Sequence, residues 1–410
     1  MDICIVGGGL CGLTAALSLS DVASIDLVEK QPYLGGCLAS YFINKYSIER
    51  FYHHCFWGDQ RLIHLIKKLG LADELEWLKG TTGYYVDGTV YPLNTPLEIL
   101  KFPHLSMSDK FRLTLLTLEA KYRDIGSLDA ITAREYVIEH FGQTLYNSFF
   151  EPLLKSKFGE SRGSVSAAWL MSRIAIRSNR GLSGERLGYI RGGFQLLIDR
   201  VASLAEQKGC KILMQTSVDS LMRKSDKWLL NGKLYDTVLF TIPPFAVTKI
   251  TGIQLPPVPY QGAACLTLGI DSDIANGIYW LNMKDPAPYG AIISHTNFQP
   301  IERYGETIVY LASYFTGSIQ DHLEQQMLTD FCKRFGVKQP EIHWQRMAIE
   351  PSAGPVYLAG FKALIPNYEQ NGIYIAGMFS PPNYPERSME GSIRTAGEVS
   401  DAIKKRFGYE

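Results

Sequence analysis

A surplus of basic residues, paired cysteines and a long apolar run are all missing from this 410-residue chain. Lysine and arginine total 41, and so do aspartate and glutamate. Nucleic-acid proteins gain affinity by replacing counterions with excess cations, so a formal charge of zero argues against a nucleic-acid partner. The seven cysteines, Cys4, Cys11, Cys37, Cys55, Cys210, Cys265 and Cys332, contain no C-x-x-C pair, and an odd number cannot close fully into internal disulfides. A reducing, cytoplasmic setting is expected. The chain opens directly on the apolar run DICIV, with no basic leader or cleavage site before it, which argues against secretion. Its best uncharged stretch, Ile250 to Ile270, carries Pro256, Pro257 and Pro259 and does not read as a spanning helix. Neither H-E-x-x-H nor G-x-S-x-G spacing occurs, so no metal site and no nucleophile elbow is expected.

What remains is the composition of a folded protein, with 46% hydrophobic and 20% charged residues. The length exceeds a typical domain of about 100 to 200 residues, so more than one domain is expected. Asp2 to Val6, the turn GGGLCG, the helical spacing of Leu10, Leu13 and Leu17, and the apolar Ile25 to Val28 read as strand, turn, helix, strand. Residues 59 to 70 keep a helical period. Residues 96 to 178 are predicted mostly helical, with helices over 108–122, 132–140, 143–154 and 165–176. A helix over 192–207 and strands over 211–214, 217–223 and 237–241 then resume the opening pattern. Strand signals dominate 262–349, broken by one helix over 319–335, and suggest an antiparallel sheet. The fold class is therefore α/β, or α+β overall: a Rossmann-like nucleotide domain (1–45, 186–247 and 354–410), a mainly antiparallel substrate domain (46–95 and 248–353) and a helical insertion (96–185).

Gly7, Gly9 and Gly12 stand in G-x-G-x-x-G spacing between predicted strand and helix. Gly7 permits the tight turn, Gly9 lets a pyrophosphate approach the backbone, and Gly12 lets helix and strand pack closely. Leu10 and Cys11 open the helix, whose free amides and partial positive charge favour phosphate. Glu29, followed by Lys30, lies seventeen residues beyond Gly12, near the offset of about 20 for a carboxylate accepting both ribose hydroxyls. The turn alone does not distinguish NAD from FAD.

Further segments carry a family resemblance. EKQPYLGGCLAS, with Gly35, Gly36 and Cys37, resembles the segment that lies along the FAD pyrophosphate and ribityl chain in the flavin-containing amine oxidase and phytoene desaturase superfamily. IYIAGMFSPPNYPERSMEGSIRTAGEVSDAI resembles that superfamily's closing strand, loop and helix. EYVIEHFGQTLYNSFFEPLLKSKFGESRGSVS, RGGFQLLIDRVASLAEQKGCKI and VLFTIPPFAV are similar to parts of protoporphyrinogen-oxidase-like members. The resemblance covers nearly the whole chain and implies non-covalently bound FAD. It also implies cofactor contacts at Val218 beside the adenine, at Gly377 and Met378, and at the start of the closing helix, Met389, Glu390, Gly391, Ser392 and Ile393. The amides of Gly391, Ser392 and Ile393 are expected to stabilise negative charge on the reduced ring. In two places the pattern departs: Cys37 replaces an arginine found in many amine oxidases, and Met378 replaces an aspartate.

For chemistry, RFYHHCFWGD resembles a segment near the flavin in relatives of UDP-galactopyranose mutase, which makes His53 or His54 a catalytic candidate. Side chains alternate along extended chain, so both cannot face the flavin; a histidine hydrogen-bonded at the domain interface is the other reading. Lys155, Lys157, Arg173, Arg177, Arg180, Arg186 and Arg191 form a cationic series that would attract a carboxylate or phosphate substrate if it converges, and is otherwise a solvated surface balanced by Glu160 and Glu185. Glu151 reads as a buried acid or a helix-end charge. Cys37 reads as a packing residue rather than a redox thiol. The stretch Leu97 to Leu118 is a candidate for peripheral membrane contact, against the alternative of an ordinary amphipathic core helix. The resemblance implies a two-electron oxidation of a small organic substrate, with dioxygen, a quinone or another carrier as final acceptor. A redox-neutral, mutase-like flavoenzyme and a non-catalytic flavin-binding partner protein are the alternatives.

Overall fold

The computed structural model describes residues 1–178 and 185–409; the side chains of residues 177 and 178 are outside that description. Strand Asp2–Val6 and strand Ser24–Val28 flank helix Leu10–Leu19, as their apolar patterns require. Ile3, Ile5 and Leu27 point to one face, Cys4, Val6 and Val28 to the other, and all are buried. Burial on both faces explains why these strands read as continuous apolar runs, the signature of a parallel sheet. The sheet runs Glu369–Gln370, Ile373–Ile375, Thr237–Phe240, Asp2–Val6, Ser24–Val28, Lys211–Leu213, and every pair except the first is parallel. The closing helix, Met389–Arg406, packs on Leu10–Leu19 through Met389, Ile393, Ala396, Val399 and Ile403.

A second sheet has seven strands in the order Ile342–Pro355, Tyr260–Ile270, Thr307–Phe315, Ala291–Ser294, Trp280–Met283, Thr82–Val86, Thr89–Pro92. Only the pairing of Trp280–Met283 with Thr82–Val86 is parallel. Between strands Thr89–Pro92 and Glu185–Ile190 in sequence lies the helical block, which includes Pro96–Lys101, Met107–Tyr122, Ala133–Phe141, Glu151–Phe158 and Ala167–Ser178.

Two expectations change. The helix predicted over 143–154 is divided: Gln143–Leu145 passes through a π turn, Tyr146–Phe150, into Glu151–Phe158. The strand predicted over 217–223 is mostly loop, and Met222–Lys224 instead begins a three-stranded meander with Lys227–Leu230 and Lys233–Tyr235. Strand Glu185–Ile190 pairs antiparallel with Leu75–Gly80 and so ties the returning chain to the segment before the helical block.

Candidate functional site

The dinucleotide turn takes the form its glycines allow. Gly7 has φ +114°, in the left-handed region. A Cβ on Gly12 would collide with the Gly7 carbonyl oxygen, so helix and turn pack as closely as backbone permits. Gly9 is the N-cap of Leu10–Leu19 with no side-chain cap, and nothing lies within 4 Å of where its Cβ would stand. The backbone at Gly9 is thus open to close approach, and the Leu10 and Cys11 amides are first-turn donors without an intrahelical acceptor. Cys11 itself is buried and its thiol is pushed up to about 12 by burial.

The second glycine segment joins this turn directly. Gly35 bridges Gly9 in parallel, and its amide donates to the Gly8 carbonyl at 2.9 Å. Gly36 would bring a Cβ within 3.5 Å of Gly9 Cα. Glu29 is buried beside them, one carboxylate oxygen accepting from the Gly8 amide (2.7 Å) and the other from the Gln31 amide (2.8 Å). The Thr216 amide donates to the Glu29 carbonyl, which brings the Val218 loop alongside; Val218 is half-buried and Lys30 exposed.

Asn383 organises the closing segment. It is fully buried; its Nδ2 donates to the Gly377 carbonyl (3.1 Å) and its Oδ1 accepts from the Ser388 amide (3.1 Å). Gly377 donates to Ser380 Oγ at 3.0 Å, and half-buried Met378 offers its carbonyl to the Tyr357 hydroxyl at 3.5 Å. Ser388 caps the closing helix by accepting from the Gly391 amide (2.9 Å), and its carbonyl accepts from Ser392 (3.1 Å). Of the three amides expected to face the ring, those of Gly391 and Ser392 donate to Ser388, and Ile393 is the next residue along the helix. The first-turn amides that Ser388 leaves open are those of Met389 and Glu390. The Glu390 carboxylate turns away and accepts from the Leu62 amide at 2.9 Å, docking helix Gln60–Lys68 on the closing helix.

An aromatic cluster surrounds Tyr52, in the segment that carries the two histidines. Tyr52 stands edge-on to Trp280 and Tyr310 and shares a hydroxyl contact with Tyr314 at 3.2 Å. His53 and His54 diverge as the extended chain requires. His54 Nδ1 meets the Tyr279 hydroxyl at 3.0 Å among Phe56, Tyr279 and Trp280. His53 Nδ1 lies 2.7 Å from the Phe51 carbonyl oxygen. A carbonyl only accepts, so Nδ1 carries the hydrogen and Nε2 keeps its lone pair. Burial, with a further push from Arg387, lowers the His53 pKa to about 4, so the ring is neutral. Cys37 is half-buried; burial and Glu350 raise its thiol to about 11 against the pull of Arg387, which fits a packing residue.

The cationic series converges only in part. Lys157 Nζ and Arg173 Nη1 lie 3.8 and 3.7 Å from Glu386 Oε1. Burial opposes the Glu386 charge, but Lys157, Arg173 and Arg387 outweigh it and hold the pKa below the usual carboxylate value. Lys155 is exposed, Arg186 reaches the Trp77 carbonyl, and Arg191 pairs with Glu74 at 2.8 Å. The Arg177 side chain and Arg180 lie outside the described residues. Glu151 is a helix-start acid paired with Arg162 at 2.9 Å, and Glu160 pairs with the same arginine. Asn383, Glu386 and Arg387 escaped sequence reasoning, although all three sit in the loop NYPERS just before the closing helix.

A model of flavin containing amine oxidoreductases matches residues 10–404. A coproporphyrinogen III oxidase from Mycobacterium tuberculosis is 25% identical over 224 residues, 48% of this chain and 49% of that protein; the chain spans about half the length of this curated relative. A solved structure from Exiguobacterium sp. 255-15, provisionally assigned as a protoporphyrinogen oxidase, superposes with TM-score 0.79 and 20% identity over 99% of both chains. A reduced UDP-galactopyranose mutase superposes with TM-score 0.75 and 16% identity over 99% of this chain and 96% of that one. The two structural likenesses are likenesses of fold.

Proposed function

The chain belongs to the flavin containing amine oxidoreductase family, and from that premise we propose that it is an FAD-dependent oxidoreductase acting on a small organic substrate, with FAD held non-covalently. The observation that carries the reading is the meeting of three backbone devices: the open turn at Gly9, the glycine pair bridged to it, and the buried Glu29 beside both. These fit a dinucleotide. The amides of Leu10 and Cys11 would hold its phosphates, Glu29 a ribose, the Val218 loop the adenine, and the backbone at Gly377, Met378, Met389 and Glu390 the other end. Segments 1–45, 186–247 and 354–410 would hold the cofactor, 46–95 and 248–353 the substrate, with 96–185 covering them.

When bound, flavin would supply two-electron redox chemistry, with dioxygen, a quinone or another carrier as the final acceptor. The chain's own residues do the rest. The wall of Tyr52, Trp280, Tyr310 and Tyr314 excludes water and offers flat apolar surface. Neutral His53, with its Nε2 lone pair, would accept a hydrogen bond from the substrate and orient it; with a pKa of about 4 it does not hold a proton at neutral pH. A porphyrinogen, the substrate class named by the mycobacterial relative, suits such a wall. The mutase-like reading asks for two free arginines for a diphosphate, and Arg173 is committed to Glu386. Peripheral lipid contact is part of the proposal. Leu97, Leu100, Met107, Phe111, Leu115, Leu118 and Tyr122 are exposed along one side of the helical block, and exposed Lys101 and Lys121 beside them complement an anionic lipid surface. Among the described residues no helix is long and apolar enough to cross a membrane.

An anaerobic titration tests the oxidoreductase reading. Coproporphyrinogen, amines and polyenes are added in turn while the flavin absorbance is followed. Bleaching by one class without added reductant is expected. A preparation with no flavin band that also fails to take up FAD would end the reading, and turnover of a UDP-sugar only after dithionite reduction would replace it with the mutase.

A further inference from the structure

A cation withdrawn from water is normally paired, because a desolvated charge without a counterion costs several kcal/mol. Lys157 and Arg173 obey this at Glu386. Arg387, the next residue, does not: among the described residues its guanidinium makes no hydrogen bond and no ion pair. Nor does the side chain extend into solvent. It is half-buried and lies across the backbone of Gly354, where a Cβ would come within 2.5 Å of Cζ. Gly354 is near the end of strand Ile342–Pro355, so the absence of a side chain there is what gives the guanidinium its seat on the second sheet.

Around that seat stand groups from several segments. Tyr314, Glu386, Tyr357 and Cys37 favour the charged guanidinium, and together they outweigh the burial that opposes it. Tyr260 and His53 also feel the charge. Cys37 and His53 come from the segments that follow the glycine turn, and Gly354 and Tyr260 from the second sheet, so the guanidinium stands where the two meet. The nearby acids make no hydrogen bond or ion pair to Arg387 among the described residues, although Glu386 Oε2 is buried without a hydrogen-bond partner. Glu386 is shared by Lys157 and Arg173, and a Glu350 carboxylate oxygen accepts from the Ser352 amide at 2.9 Å. Three cations, Lys157, Arg173 and Arg387, thus face two carboxylates, Glu386 and Glu350, and Arg387 is the cation left without a direct partner among the described residues.

We infer that Arg387 recognises an oxyanionic substituent, a carboxylate or a phosphate, on the organic substrate, gripping it in the seam between Cys37 and the Gly354 end of the long strand. A guanidinium offers two parallel donors to such a group, and the Tyr260 hydroxyl lies within the same electrostatic neighbourhood. The bound molecule's being the substrate rests on the oxidoreductase reading; the site itself does not.

The test is calorimetric titration of the purified protein, its flavin content recorded, with benzoate, phenyl phosphate and the neutral isostere benzamide. One or both anions should bind saturably, benzamide about tenfold more weakly or not at all. The tighter anion identifies carboxylate or phosphate as the natural group. Arg387→Gln should weaken the anion about tenfold or more and leave flavin content unchanged. Arg387→Lys should recover part of the affinity, since an ammonium keeps the charge but not the paired donors. Gly354→Ala should reproduce the loss with the arginine still present, because the new methyl displaces the guanidinium. Equal binding of benzoate and benzamide, an anion affinity unmoved by Arg387→Gln, or loss of flavin instead of anion would overturn the inference. Flavin present in the wild type with neither anion bound removes this site alone. Arg387-dependent anion binding by a protein that takes up no flavin removes the oxidoreductase reading and leaves the site standing.

Discussion

Gly391 shows how one missing side chain holds the cofactor end of the molecule in place. A Cβ there would run into Asn383 Oδ1 and approach the Pro382 carbonyl at 2.8 Å, and Asn383 is the residue that ties Gly377 to the start of the closing helix. Gly391→Ala should therefore force Asn383 aside, at a cost of about 1–3 kcal/mol for overpacking a close-packed site, and should lower flavin retention on dialysis. Gly397, two turns along the same helix, has nothing within 4 Å of its Cβ position. Gly397→Ala should instead stabilise by about 0.5–1 kcal/mol through helix propensity. Melting temperature and bound flavin, measured on both variants, separate the two effects; a Gly391→Ala protein that melts and holds flavin like the wild type would remove Asn383 from its organising role. The glycine was visible in the sequence, whereas its reason was not, because Asn383 enters only through the fold.

Elements were legible where one face of each was simple. The opening strand, helix and strand bury what their patterns mark as apolar, and Leu323–Phe335 keeps a buried stripe at Leu323, Met327, Leu328 and Phe331. Met107–Tyr122 is harder, because it is apolar on two faces. Leu113, Leu116 and Ala120 are buried, while Met107, Phe111, Leu115, Leu118 and Tyr122 are exposed. The second helix of the Leu97 to Leu118 stretch therefore has both a core face and an exposed apolar face. Ile342–Pro355 gave little strand signal, since polar side chains on its partly exposed length, such as Gln345 and Arg346, interrupt the alternation that an edge strand with one buried face would show. The two-faced helix yields a prediction at this scale. Sedimentation with vesicles containing anionic lipid should retain the wild-type protein, and Phe111→Ser with Leu115→Ser should reduce retention several-fold without lowering the melting temperature, because neither side chain is in the core. Equal sedimentation of the two proteins would leave the exposed stripe without a lipid role.

At the scale of the whole molecule, the proposed cofactor half of the site lies in short local motifs, whereas the proposed substrate half is assembled from distant ones. Lys157 and Arg173 meet Glu386 across more than two hundred residues, and no local periodicity encodes that meeting. The same holds for the polar network joining the returning chain to the second sheet. Glu49 accepts from the Tyr189 hydroxyl and the Phe194 amide; the Tyr189 ring stands 5.3 Å from His295, and His295 Nε2 lies 2.8 Å from the Tyr304 hydroxyl. His295 is 2% exposed, and burial, aided by the Arg303 charge, lowers its pKa from 6.5 to about 3. The native state refuses a proton that the unfolded chain accepts, so the stabilising contribution is complete above about pH 6.5 and is lost as pH falls below it. By pH 5 the loss amounts to roughly 2 kcal/mol. Glu49, whose pKa burial raises, acts in the opposite direction, but it is common to any pair of proteins differing only at His295. His295→Gln keeps a group able to accept from Tyr304 and removes the titration. Urea midpoints at pH 7.5 and pH 5 should then fall less in the variant than in the wild type, by an amount equivalent to roughly 2 kcal/mol. Parallel falls would mean that His295 is protonated in the folded protein and that the seam opens to water at pH 5.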